Sequence, residues 1–261
     1  MQNDPLVSVT NVEVLGPKTR NRDFLKCVGD LIGSRLGKTK RNKETDFGNK
    51  AYAYFACKCV ANNDFVSLQE LLKVVDIDTS DYNGQTPIHR ACEMGNIGMM
   101  KYLITKGCSY NLADVQGNTP MTLAIMNNDV IMVRTLQMLG GAVYLESVRI
   151  GMELCKATQA RDYRKLQAWF FAGVDMDQGD YNGRTAMHTA VRNRDAMTVS
   201  RLLEYGATPL EEDTWGWTAL AEAKKHHLTD ILMLFHPLFT EKFTTKHLYQ
   251  LYKSGMDDAL E

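Results

Sequence analysis

Six histidines and six cysteines are the side chains here best able to bind a metal, take up a proton or attack an electrophile. Their spacing supports little of that chemistry. His226-His227, with His236 further on, lacks cysteine or carboxylate partners at zinc-site spacing. Cys57 and Cys59 are separated by one residue, not by the two of a zinc knuckle or redox pair. Gly37-Lys38-Thr39 ends like a phosphate-binding loop. Ile32, however, stands where that loop needs its first glycine, and no strand leads into it. Asp64, Asp162 and Asp195 recur at matching places, which marks local structure and not a pair of carboxylates for acid–base work. Neither H-E-x-x-H nor G-x-S-x-G occurs, and no cysteine sits in a catalytic context. An enzyme is therefore not expected. No catalytic residue, metal, cofactor or small-molecule substrate is assigned.

The 30 basic and 31 acidic residues leave a net charge of −1, which argues against a whole-protein electrostatic partner such as duplex nucleic acid. Five basic residues cluster between Arg35 and Lys43, but without the interleaved aromatic rings on which single-stranded nucleic acid stacks. An apolar share of 44% beside 23% charged residues is that of a globular chain. The longest apolar runs, such as residues 231–235, fall far short of the roughly 20 residues that span a membrane. The first residues show no basic stretch leading into an apolar one, so no secretory signal is read and a cytoplasmic location is expected. There, Cys27, Cys57, Cys59, Cys92, Cys108 and Cys155 are expected to be free, packed thiols.

Most of the chain repeats with a period of 33. Asp81-Tyr-Asn-Gly-Gln-Thr-Pro-Ile-His89 returns as Asp180-Tyr-Asn-Gly-Arg-Thr-Ala-Met-His188. Asp114-Val-Gln-Gly-Asn-Thr-Pro-Met121 and Asp213-Thr-Trp-Gly-Trp-Thr-Ala-Leu220 each follow 33 residues after one of these. Glycines 107, 140, 173 and 206 form another series. The copy starting near Ser147 has Ile150 and Met152 where glycine and threonine are expected. The earliest copy is weaker, with Asp64-Phe-Val-Ser-Leu68 parallel to Asp162-Tyr-Arg-Lys-Leu166. Six copies are read: 48–80, 81–113, 114–146, 147–179, 180–212 and 213–236.

The motif D-x-x-G-x-T-P-φ-H-x-A at this period resembles the ankyrin repeat, over about 190 of 261 residues. The resemblance implies an all-α solenoid of tight turns and antiparallel helix pairs, with His89 and His188 bonding their own turn and threonine. The residues agree with it. Gly84 and its equivalents supply a permissive backbone for a turn. Thr86-Pro87 suits a helix start. Leu68, Leu71 and Leu72, then Met100, Leu103 and Ile104, then Val199, Leu202 and Leu203, carry the apolar stripe of a second helix. Gly107 or Gly206 then stops it. One helix pair cannot bury its own apolar face, but stacked neighbours can. The stretch from Asp162 to His227 is similar to the ankyrin tails of glutaminases and some asparaginases; nothing resembles their catalytic domains, so no activity is carried over.

The ends are expected to differ. Residues 1–47 read as an extended arm, an amphipathic helix from about Asn21 to Leu36, and a basic linker. Residues 237–261 read as a capping helix starting near Thr244 or Thr245, then a short acidic tail. Both terminal helices would cover the exposed ends of the stack.

What remains for function is surface. The resemblance implies that partners meet the turn tips and the first-helix face. The partner-binding residues expected there are Tyr82, Asn83, Tyr181, Asn182, Arg184, Arg192, Arg194, Trp215 and Trp217, with Trp217 and Arg184 as central anchors. Aromatic rings and arginines bury much area and donate directional hydrogen bonds, which makes them common interface hot spots. The competing reading is structural: Trp215 pins its turn and Trp217 packs onto Tyr181. The expected function is a non-catalytic scaffold or adaptor that binds other proteins. The alternative is a fixed component of a cytoskeletal or ciliary assembly, anchored by the N-terminal arm and located there and not in free cytoplasm.

Overall fold

The computed structural model describes the backbone of residues 41–241 and the side chains of residues 49–236. The expected arm, the helix after Asn21 and the capping helix near Thr244 lie outside these. Twelve α-helices occur among the described residues, with no strand beyond a single bridge between Glu212 and Thr218. The chain divides into two compact units, Met1–Ser109 and Tyr110–Glu261.

The first unit holds α1 (Arg41–Ala61), α2 (Phe65–Leu71), α3 (Pro87–Glu93) and α4 (Ile97–Thr105). The helix α1 begins ahead of the repeat boundary read at 48. It packs on α2 and α3, and α3 packs on α4. The second unit holds α5 (Pro120–Met126), α6 (Val130–Met138), α7 (Ser147–Gln159), α8 (Tyr163–Phe171), α9 (Ala186–Arg192), α10 (Ala196–Glu204), α11 (Ala219–Lys225) and α12 (Thr229–Glu241). There the first helices α7, α9 and α11 stack in series, while α6 packs on α8 and α10 on α12.

Five second helices, all but α12, start on a repeated device. Asp64, Asn96, Asp129, Asp162 and Asp195 accept a hydrogen bond from the backbone N–H three residues on. Such N-caps satisfy an otherwise orphaned donor. The recurring aspartates are therefore consumed by helix starts. Behind them Leu68, Leu71, Met100, Leu103, Val199 and Leu202 are buried, while Leu72, Ile104 and Leu203 are half-buried.

Two copies depart from the pattern. The first lacks one residue between its N-cap and the next turn, since Asp64 to Asp78 is one step shorter than Asp162 to Asp177. The missing residue is the stop glycine, present elsewhere as Gly107, Gly140, Gly173 and Gly206, all at positive φ. After α2 the Val75 amide reaches back four residues to Leu71, where Cys108, Gly141 and Ala207, which follow a stop glycine, reach back five. In the fourth copy, Ile150 and Met152 remove the turn glycine and the capping threonine. Helix continues where the turn would be, so α7 has 13 residues against seven in α9. Arg149 on that extension donates to the Gln116 carbonyl at 2.8 Å and to Asn118 Oδ1 at 3.0 Å, tying it to the preceding turn. Gly151 makes this possible, because a Cβ there would lie 2.2 Å from the Gly179 carbonyl oxygen.

Candidate interaction surface

Each intact turn is built around one aspartate. Asp81, Asp114, Asp180 and Asp213 accept from the amides two and four residues on. The turn thereby closes on its own carboxylate and pushes the intervening side chains outward. In the first unit this places Tyr82 at the tip, exposed, with Asn83 beside it. In the second unit Val115 and Tyr181 hold the position of Tyr82 and Trp215 that of Asn83; Tyr181 is 79% exposed and Trp215 61%.

The fifth and sixth turns are joined. The Thr214 amide donates to the Asn182 carbonyl at 3.0 Å. The Arg184 Nε lies 3.6 Å from Asp213 Oδ2, and its guanidinium carbon 5.1 Å from the centre of the Trp215 ring. Arg184 is thus partly spent inside the chain, as a strut that holds Trp215. Burial pushes the Asp213 carboxyl upward, but the Trp217 and Trp215 amides, His188 and Arg184 outweigh it and hold the pKa below the usual carboxylate value. Asp213 therefore stays charged as the hub of both tryptophans.

His188 is a second hub. Its Nδ1 accepts from the Thr185 amide at 3.2 Å and meets Thr185 Oγ1 at 3.1 Å, while Nε2 lies 2.9 Å from the Trp217 carbonyl. This fits the tautomer with its proton on Nε2. His89 and Thr86 repeat the local half of the arrangement. Cys57 and Cys155 play the inter-repeat part in their own copies, pointing Sγ at the carbonyls of Gln85 and Arg184. His188, Cys57 and Cys155 are thus stitches between neighbouring copies. Among the described residues the cysteines are free thiols, and no group of three or more His, Cys, Asp or Glu could hold a metal.

Trp217 takes Lys225 over its ring, 4.8 Å from the ammonium, where packing on Tyr181 was the structural expectation. The ring is 46% exposed and lies along the first-helix face. Arg192 on α9 reaches Glu222 on α11 at 3.4 Å on that same face. Arg194 sits apart from this group. It occupies the left-handed position between α9 and α10, at φ 53°, at the far end of α9 from its turn. The structure therefore brings together Tyr181, Asn182, Arg184, Trp215 and Trp217, adds Arg192 along the helix face, and leaves Arg194 at the opposite end. Lys225 and Glu222 join the face as ring and guanidinium partners that sequence position alone did not pair.

Residues 24–144 and 154–243 match the family described as "Ankyrin repeats (3 copies)". The chain belongs to the ankyrin-repeat family. The two matches leave residues 145–153 uncovered, which include the start of α7. An L-asparaginase of Dirofilaria immitis is 36% identical over 178 residues, covering 68% of this chain and 30% of that protein. The chain thus spans less than a third of that relative. A chain from the complex of the predatory endopeptidase Bd0816 of Bdellovibrio bacteriovorus with immunity protein Bd3460 superposes with a TM-score of 0.51 at 20% identity, covering 70% of this chain and 96% of that one. The ankyrin repeat domain of Bcl-3, a member of the IkappaB protein family, superposes with a TM-score of 0.54 at 22% identity, covering 69% of this chain and 84% of that one. Both solved structures share the ankyrin fold with this chain. Repeats of this family serve as protein–protein interaction modules. No described helix is long and apolar enough to cross a membrane.

Proposed function

We propose that this ankyrin-repeat chain is a non-catalytic adaptor that binds a partner protein through the turn edge and first-helix face of its second unit. The observation that carries the reading is the pair of exposed tryptophans at one turn, held from behind by Asp213, Arg184 and His188. The Asp213 and His188 bonds fix the backbone of the two tryptophans, Arg184 and Lys225 lie over their rings, and rings held in this way lose less side-chain freedom on contact. Trp215 and Trp217 are the anchors, and Tyr181, Asn182 and Arg192 extend the contact. Arg184 acts by supporting Trp215. In the first unit Tyr82 and Asn83 are the corresponding contact positions. The partner is a protein, met in the cytoplasm. Attachment to a cytoskeletal or ciliary assembly would depend on residues 1–20, outside the described region.

The test compares proteins captured by the full chain and by a Trp215→Ala/Trp217→Ala variant, with Met94→Ala as control. The double variant is expected to lose a partner that the control keeps, at a cost of about 2 kcal/mol or more per anchor. Equal capture by all three, with unchanged helical circular dichroism, would contradict the assignment.

A further inference from the structure

Three of the four second helices of the second unit, α6, α8 and α10, turn a basic and apolar face outward that the turn-edge reading does not use. Across α6, α8 and α10 the sequence holds four cations, Arg134, Arg164, Lys165 and Arg201, against one carboxylate, Glu204. Asp129, Asp162 and Asp195 at the helix starts are committed to backbone amides. Arg161 and Arg192 find carboxylates nearby, but none of the four cations does among the described residues.

Two of the four rest on rings of the central helix. The Arg134 guanidinium lies 4.8 Å from the Phe171 ring centre, at the end of α8. Arg201 lies 4.7 Å from the ring of Tyr163, at its start. Phe170 stacks on Tyr205 at 4.7 Å, so α8 is bridged to both neighbours by aromatic contacts. A guanidinium lying over a ring is held in orientation while its N–H groups stay available for a carboxylate fork. Along α6, Ile131, Arg134 and Met138 follow one another at helical spacing, and Ile131 is 68% and Met138 83% exposed. Cation and apolar surface thus alternate along the helix.

We infer that the outer face of α6, α8 and α10 is a second docking surface, and that its occupant is an acidic partner segment with apolar side chains between its carboxylates. Charge complementarity selects the acid, because a basic segment would meet four cations that have no carboxylate at ion-pair distance among the described residues. Ile131 and Met138 receive the apolar side chains, the exposed guanidinium of Arg134 receives a carboxylate in a bidentate pair, and Arg201, whose Nε is buried, receives one through its terminal nitrogens. This surface stands independently of the turn-edge reading.

The test selects binders to the full chain from a displayed library of random peptides. The expected result is enrichment of Asp and Glu interspersed with Leu, Met or Phe. Binding of a synthetic copy should fall about tenfold or more in Arg134→Gln/Arg201→Gln. It should be unchanged in Arg192→Gln/Lys225→Gln, which removes the same charge from the turn-edge side. Circular dichroism checks that both variants fold. Absence of acidic enrichment, or equal loss in both variants, would overturn the proposal. So would preferential capture of phosphatidylserine vesicles over the selected peptides.

Discussion

Asp177 accepts the Thr208 amide with both carboxylate oxygens, at 2.9 and 3.1 Å. Burial pushes its pKa from 3.8 up to about 6, against the lowering effect of the Thr208 bond, and Asp175 and Glu211 add to the rise. The folded chain therefore binds a proton here that the unfolded chain releases, and ionisation costs stability as pH climbs through that interval. Asp195 and Asp213 have the opposite sign: their lowered values give stability above about pH 4 that is lost in more acid solution. From about pH 7 down to about pH 5, Asp177 should thus favour the folded state progressively. Asp177→Asn keeps an acceptor for Thr208 and should flatten that part of the Tm–pH curve; an identical slope in both proteins would contradict the assignment. The thiols give a second check at this scale. Burial pushes Cys57, Cys59 and Cys108 up to about 12, so their reactive thiolate is scarce. A Cys27→Ser variant should react slowly with an aromatic disulfide reagent at about pH 8 and fast once denatured. Fast reaction of the native variant would contradict their packing. Much of this chemistry was legible in the sequence: the recurring aspartates and the Thr–His pairs announced structural roles through their period. The raised pKa of Asp177 was not, because burial by neighbouring copies leaves no mark on local residue order.

At the scale of elements, Gly151 is the tightest point. A methyl group there would meet the Gly179 carbonyl carbon and oxygen at 2.3 and 2.2 Å, and backbone atoms cannot swing away as a side chain can. Gly151→Ala should cost about 3 kcal/mol in denaturant unfolding. Gly98→Ala is its counterpart. It lies on the exposed side of α4, where the new Cβ would meet only Asn96 Oδ1 at 3.6 Å, and it should gain up to about 1 kcal/mol. Similar effects of the two substitutions would contradict the close packing of α7. The loss of glycine and threonine in the fourth copy was readable at Ile150 and Met152. Its consequence was not, since only the register of Arg149 on the Gln116 carbonyl reveals helix in place of a turn. The absent stop glycine of the first copy was hidden by a shift of one residue, which a search at a fixed period passes over.

At the scale of the whole molecule, a net charge of −1 conceals an uneven distribution. The tryptophan turn and the basic outer face differ in chemistry, and a chain bearing both could hold two partners at once. The turn edge was legible because its residues fall at fixed offsets in each copy. The outer face was not, because its ring–guanidinium pairs join different helices and share no repeat position. The central claim is that a partner protein contacts the turn edge, and placing a photo-crosslinking residue there tests it most directly. The residue would replace Tyr181 or Trp215 in the full chain within cells, with exposed Val74 as the comparison position. One protein, captured at both Tyr181 and Trp215 and absent at Val74, is the predicted result. No adduct at either turn position, or the same adducts at Val74, would contradict it.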